Sequence, residues 1–235
     1  MPLRLDAPRS LRLDTRDVPM EISRHPRARR ITLRLNANGD GVQLVLPRRT
    51  AIHEAIAFAE RNSGWILKHL EKVPARIPFT DGAVIPLLGQ DHVIAHDPVA
   101  RIGVKRGDGT LYVSGQPEHL ARRVGDFLKR EARAEIGARA RDKAARIDRR
   151  VARLSLRDTR SRWGSCNSDG NLNFSWRLIL APEPVLDYVV AHEVAHLVEL
   201  NHSPRFWKLA GSLTDDMTGA KIWLRRNGAQ LWRYG

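Results

Sequence analysis

The sequence predicts an α+β fold, with a β-rich N-terminal region followed by a largely helical C-terminal region. Three observations carry that prediction. Short apolar–polar alternations bounded by Gly, Pro and Asn clusters recur between residues 21 and 115. After Pro117 a long helical stripe follows, made of Leu120, Val124, Leu128, Ile136, Ala140 and Ile147. A second apolar helical run, Val185–Leu200, carries two histidines four residues apart. The expected organisation is a flexible arm over residues 1–20, a β-rich subdomain with one helix over 21–115, and a C-terminal domain over 116–235.

Each element has its own local reason. Residues 1–20 alternate Leu, Arg, Asp and Pro without a sustained period, hence the arm. Ile31, Leu33 and Leu35 alternate with polar residues, and Val42–Leu46 follows a Gly-rich turn, which reads as a hairpin. Thr50 is a candidate cap for one helix running to about Glu71, with Ile52, Ile56, Ala59, Ile66 and Leu70 on one face. Pro74, Pro78 and Gly82 end it. Three strands are expected around Val84–Leu88, His92–Ala95 and Leu111–Val113, with Gly107-Asp108-Gly109 as a turn. After the long helix, Arg162–Cys166 and Leu172–Leu180 read as a second hairpin around Asn167–Gly170. Pro182 and Pro184 precede the histidine-bearing helix, and Asn201-His202-Ser203-Pro204 breaks it. Two short helices finish the chain, the first capped by Ser203 with Pro204 behind it and the second ending at Gly228.

Composition sets outer limits. The 235 residues are 42% hydrophobic and 28% charged, which suits a protein able to bury a core and is too apolar for a disordered chain. A single cysteine excludes a disulfide scaffold and every multi-cysteine zinc site. No window approaches the ~20 apolar residues of a membrane span and no apolar leader opens the chain, so a cytoplasmic protein without a membrane partner is expected. The net charge is +14, and 33 of the 40 basic residues are Arg. The excess lies in residues 1–50 and 121–162, whereas 163–235 carries equal numbers of acidic and basic groups. Two uses of such a surface stand side by side, a solvated helix face or a surface for nucleic acid or nucleotide.

The chemistry concentrates in His192-Glu193-Val194-Ala195-His196. Helical residues four apart sit about 40° apart in projection, one turn above the other, so both imidazoles can address one metal ion. Glu193 then flanks the ion as a general base for water. The neighbours Val189, Val190, Val194, Ala195 and Leu197 are apolar, which makes three adjacent ionisable groups costly unless a metal satisfies them. There are two candidates for a third ligand. Glu199 lies on the same face, about 10 Å along an unbroken helix from His192. His202 lies beyond the helix, where Asn201 in a left-handed conformation and Pro204 can swing it back. His202 is the expected ligand, with Glu199 outside the ligand set.

Arg162-Trp163-Gly164-Ser165-Cys166, Gly170 and Leu172, Trp176-Arg177-Leu178, Pro182, Leu186–Val190, the His192–His196 motif, Asn201-His202-Ser203 and Phe206-Trp207 fall in one order along the chain. In this it resembles the YgjP-like metallopeptidase domain family, grouped with SprT-like and WLM proteins. The resemblance runs from about Arg24 to Trp207. It implies a zincin-like metallopeptidase domain with its active-site helix packed on a small sheet. It also implies one zinc ion per chain on His192, His196 and His202, with Glu193 as base.

The activity so implied is hydrolysis of a peptide or protein substrate. Tyr188, one turn before His192, and Arg162, in the preceding hairpin, are candidates for contacting the transition state, against the commoner roles of core aromatic and buried tether. The strand around Asn173–Ile179 is expected to offer an edge to an extended peptide. Cys166 is open as a ligand, a nucleophile or a small buried hydrophobe. Two alternative functions remain, a metal-dependent nucleoside triphosphate pyrophosphatase and a SprT-like protease acting on nucleic-acid-bound substrates.

Overall fold

The computed structural model describes residues 3–4, 10–14, 16–36, 39–71 and 75–235. Contacts divide the chain between Pro74 and Ala75 into two compact units, each with its own apolar core. No helix among the described residues is long and apolar enough to cross a membrane.

The first unit is a sheet with two helices. Strands β1 (Leu3–Arg4), β2 (Ser10–Leu13), β3 (Arg16–Arg24), β4 (Thr32–Leu35) and β5 (Val42–Leu46) run in the order β1-β3-β5-β4, with β2 also paired to β3. The expected hairpin is present as the antiparallel β4–β5 pair, and β3 joins β5 in parallel. Val42, Leu44 and Leu46 are fully buried while Gln43 and Val45 face outward less deeply, the period of two that a half-covered sheet requires. The flexible arm is corrected where it is described. Leu11, Leu13, Val18 and Met20 are buried in β2 and β3, while residues 1, 2, 5–9 and 15 of that arm lie outside the described residues. The single helix expected from Thr50 is two, α1 (Ile52–Arg61) and α2 (Ser63–Glu71). Asn62 parts them, its Nδ2 donating to the Phe58 carbonyl at 2.7 Å, and no side chain caps α1.

The second unit begins at residue 75, not at 116. The four-stranded sheet β6 (Val84–Leu87), β7 (Gln90–Asp97), β8 (Val104–Gly107) and β9 (Thr110–Ser114), ordered β6-β7-β9-β8, shares a core with everything that follows. Alternation showed that these segments are strands, but it carries no information about which core their apolar faces join. The long helix α3 (Leu120–Ala145) buries the expected stripe from Leu120 to Ala140 and turns most of its arginines away, Arg139 excepted. Behind it β10 (Arg153–Arg157), β11 (Gly164–Cys166) and β12 (Asn171–Ser175) form a sheet ordered β10-β12-β11. The expected strand to Leu180 stops at Ser175, whose hydroxyl accepts a hydrogen bond from the Arg177 amide and starts a 3₁₀ turn over Trp176–Leu180. That run is buried throughout, and a short apolar run looks alike as strand or helix.

Helix α4 (Glu183–Ala195) follows, then α5 (Pro204–Ser212), α6 (Met217–Asn227) and a 3₁₀ turn to Arg233. Ser203 caps α5 as expected, its hydroxyl accepting from the Phe206 amide at 3.3 Å. Arg177 ties the C-terminus down from a buried position. It holds both Asp158 oxygens, at 2.7 and 3.1 Å, and donates to the carbonyls of Leu231 and Tyr234.

Candidate metal centre

Helix α4 is buried on nearly every side, so its polar side chains need a reason to be there. His192 and His196 lie one turn apart at its C-terminal end, their rings edge to face with centroids 5.0 Å apart. The helix closes at Ala195 with His196 as cap residue, earlier than the expected Leu200. Tight turns then reverse the chain, with the Leu197 amide bonded to Val194 and the Val198 amide to Ala195. Asn201 is not in the left-handed region that the sequence suggested. Its side-chain oxygen instead accepts from the Ser203 amide at 3.1 Å, a turn made by the side chain rather than by backbone strain. The result is the expected one, because His202 comes back over the end of α4.

The three histidines place one ligand nitrogen each within 4.8 Å of one another. His192 Nε2 and His202 Nε2 are 3.1 Å apart. Two nitrogens on a tetrahedral zinc at ~2.05 Å lie roughly 3.3 Å apart, so this spacing fits such an ion. Phe206, fully buried on α5, sits beneath all three rings at centroid distances of 4.9, 4.4 and 4.7 Å from His192, His196 and His202. His196 Nδ1 lies 2.9 Å from the Glu199 carbonyl oxygen. A carbonyl only accepts, so that nitrogen carries the proton and leaves Nε2 its lone pair. Glu199 thus contributes through its backbone, and the group able to share one ion is made of the three histidines. His192 Nδ1 is buried without a partner among the described residues.

Electrostatics favour ligand-competent imidazoles. Burial, then His196, His202 and Lys221, push His192 down to about 4, and burial also lowers His196. Neutral rings are the form that binds a metal. Glu193 is 6% exposed, and burial raises its carboxyl to about 7, with Arg162 pulling the other way. It lies against the backbone of β11. A Cβ on Gly164 would stand 2.5 Å from Glu193 Cγ, so the close approach requires glycine there.

The family comparison agrees with this geometry. The YgjP-like metallopeptidase domain matches residues 29–227, most of the chain. The chain belongs to the YgjP-like family. No curated protein and no solved structure matches it significantly. As a YgjP-like metallopeptidase domain it is a hydrolase of the metallopeptidase type, a class that ordinarily uses a metal.

The remaining expected residues of the YgjP-like domain take mixed positions. Tyr188 is buried, with its ring edge-on to His192 at 5.9 Å, and burial and Glu193 raise its phenol. Arg162 is exposed, which removes the buried-tether role; Arg177 fills it instead. Cys166 is raised to about 11 by burial and by Glu193, so it stays a thiol and is a poor nucleophile. The expected peptide-binding edge at Asn173–Ile179 is corrected too, because β12 is paired on both sides and β11 is the edge strand beside Glu193. Sequence reasoning missed the roles of Gly164, Phe206 and Lys221. A glycine inside a strand pattern is a signal of close backbone approach and was readable for Gly164. Lys221 comes from α6, with its ammonium 3.6 Å from the Trp207 ring, and nothing local marks it.

Proposed function

We propose that this YgjP-like protein is a zinc-dependent peptidase in which Glu193 manages the protons of hydrolysis. The observation carrying the reading is a buried carboxyl, raised to about 7, one residue along α4 from one of three converging imidazoles. Zinc held by His192, His196 and His202 would supply a Lewis acid that polarises a carbonyl and acidifies water. Glu193 is tuned to take a proton from the attacking water near neutral pH and to return it to the leaving nitrogen. Arg162 opposes the burial effect and keeps the ionised form of Glu193 accessible. Tyr188, kept protonated by burial, is the candidate donor to the developing oxyanion. The free edge of β11 offers backbone groups to a substrate strand laid beside the site.

Elemental analysis of the purified protein, with a peptide-cleavage assay, tests this reading. One zinc per chain is expected, lost in His196→Ala. Glu193→Gln is expected to keep the metal and lose at least about a hundredfold in rate. A chain with no affinity for zinc, or a Glu193→Gln variant cleaving at the parental rate, overturns it. A second reading, hydrolysis of a nucleotide phosphoanhydride, draws on the cations that flank the triad, Lys221 acting on His192 and Arg162 on Glu193. Pyrophosphate release from nucleoside triphosphates without peptide cleavage would select it.

A further inference from the structure

The three-stranded sheet has two unlike faces. Leu172 and Phe174 of β12 point into the core, and Gly164, the partner of Phe174, faces Glu193 on that same side. On the opposite face the register places Arg157 of β10 beside Ser175, and Ser165 of β11 beside Asn173. This face is not sealed. With Thr159 and Arg162 these residues line a groove of about 460 Å³ that contains no carboxylate. Arg157 and Arg162 make no salt bridge among the described residues. Asn173 donates to the Ser165 hydroxyl at 3.4 Å, which leaves that hydroxyl's own hydrogen for another acceptor. The groove therefore presents two guanidinium groups and hydroxyl donors and offers little that would attract a cation.

Its position matters as much as its charge. Gly164 and Arg162 line the groove, and both also act on Glu193, one by close approach and the other by charge. A peptide strand added to the free edge of β11 would alternate its side chains between the two faces of the sheet. Side chains on the Glu193 face accompany the scissile bond, and every second one meets the groove. We infer that this groove is a specificity subsite for acidic side chains, so that the preferred substrates are extended peptides with Asp or Glu at alternate positions around the cleaved bond. The inference rests on the peptidase reading for the path of the peptide, but not for the charge of the groove.

Binding tests it separately from turnover. Short fluorescent peptides differing only in Glu or Gln at alternate positions are titrated by anisotropy against zinc-loaded Glu193→Gln protein. The acidic peptide is expected to bind about two- to fivefold tighter per glutamate at low salt. The preference should vanish at ~1 M salt, where the Debye length is about 3 Å. It should be roughly halved in Arg157→Gln, where Arg162 remains, and fall to unity in Arg157→Glu. The salt series on the parental groove stands even if an Arg157 variant folds poorly. Equal binding of the Glu and Gln peptides overturns the inference, as does Arg157-dependent binding of single-stranded DNA without any acidic-peptide preference, which would assign the groove to nucleic acid. An Arg157-dependent acidic preference in a protein that cleaves no peptide would uphold the subsite and remove the peptidase reading. Cleavage indifferent to acidic residues would do the reverse.

Discussion

The buried Glu193 carboxyl carries a cost in stability. A carboxyl held at about 7 in the fold and near 4.5 in the unfolded chain binds its proton more tightly when folded. Folding stability of the metal-free protein therefore falls as pH rises from about 4.5 to 7 and stays lowered above that, by up to roughly 3 kcal/mol. Replacing the carboxyl with an amide removes the penalty. Metal-free Glu193→Gln is expected to melt higher than the parent at pH 8 and at the same temperature at pH 4, by calorimetry; a lower melting point at pH 8 would contradict the burial argument. Gly164 is the other half of that arrangement. Gly164→Ala inserts a methyl group 2.5 Å from Glu193 Cγ and 2.6 Å from Oε1, so the carboxyl must move. A displacement of about 1 Å at a reacting group costs on the order of a hundredfold in rate. On the proposed zinc-peptidase mechanism, the variant is expected to bind zinc as the parent does, by elemental analysis, while losing that much turnover. His192 and His196 were legible as a pair from spacing alone, because a helix fixes which residues share a face, whereas His202 had to be inferred from the break that follows. A glycine inside a strand pattern marked a close approach at Gly164 but not its partner, and Phe206 carried no mark, because both roles arise only when β11 and α5 are brought against α4.

Helix α4 is the element on which the site is built, and it is held from behind. Lys143, buried on α3, donates to the Leu213 carbonyl at 2.5 Å and to Asp187 of α4 at 2.7 Å, and Asp187 also accepts from Thr214 at 2.8 Å. Arg139, also on α3, reaches Glu183 at the start of α4 at 2.6 Å. This network fixes the helix in rotation, so that His192 and His196 face α5 rather than the core. Lys143→Met keeps the side-chain volume but leaves the Asp187 carboxylate less compensated. The loss is below the 3–5 kcal/mol of a fully buried broken pair, because Asp187 keeps Thr214 and some solvent contact. A drop of about 2 kcal/mol in urea unfolding is expected, with zinc affinity reduced less than activity. The clamp was invisible in the sequence, where Lys143 is one more basic residue in a basic window. Strand β10 escaped for a related reason, because Arg153–Arg157 alternates correctly but sits inside the Arg-rich stretch that reads as helix and linker. Element ends at 175 and 195 escaped as well, since both are set by side-chain hydrogen bonds and tight turns rather than by a change in hydropathy.

Across the whole molecule, charge and chemistry are partitioned. The segment bearing the histidines is neutral, and the excess of +14 lies in residues 1–50 and 121–162, so the surface field and the site's own electrostatics have separate origins. The two apolar cores are partitioned as well, one formed within residues 1–74 and one within 75–235, and all three histidines belong to the second. A ligand that binds only the folded state stabilises what it touches, by about 4 kcal/mol when its free concentration is a thousand times its dissociation constant. Zinc bound at the triad, as proposed, would join α4 to the turn before α5, and through Phe206 and the Asp187 network it would bear on α3 and the three-stranded sheet. Amide hydrogen exchange is expected to slow on zinc addition across α3, α4, α5 and β12, whose openings then require loss of the ion. Amides of β3, β5 and α1 report the opening of a different core and are expected to exchange at the same rate with and without the metal. His196→Ala should abolish the first change and leave the second set untouched. Equal slowing in both cores would show that they open as one cooperative unit, and the division at Pro74 would then mark a boundary of packing but not of stability.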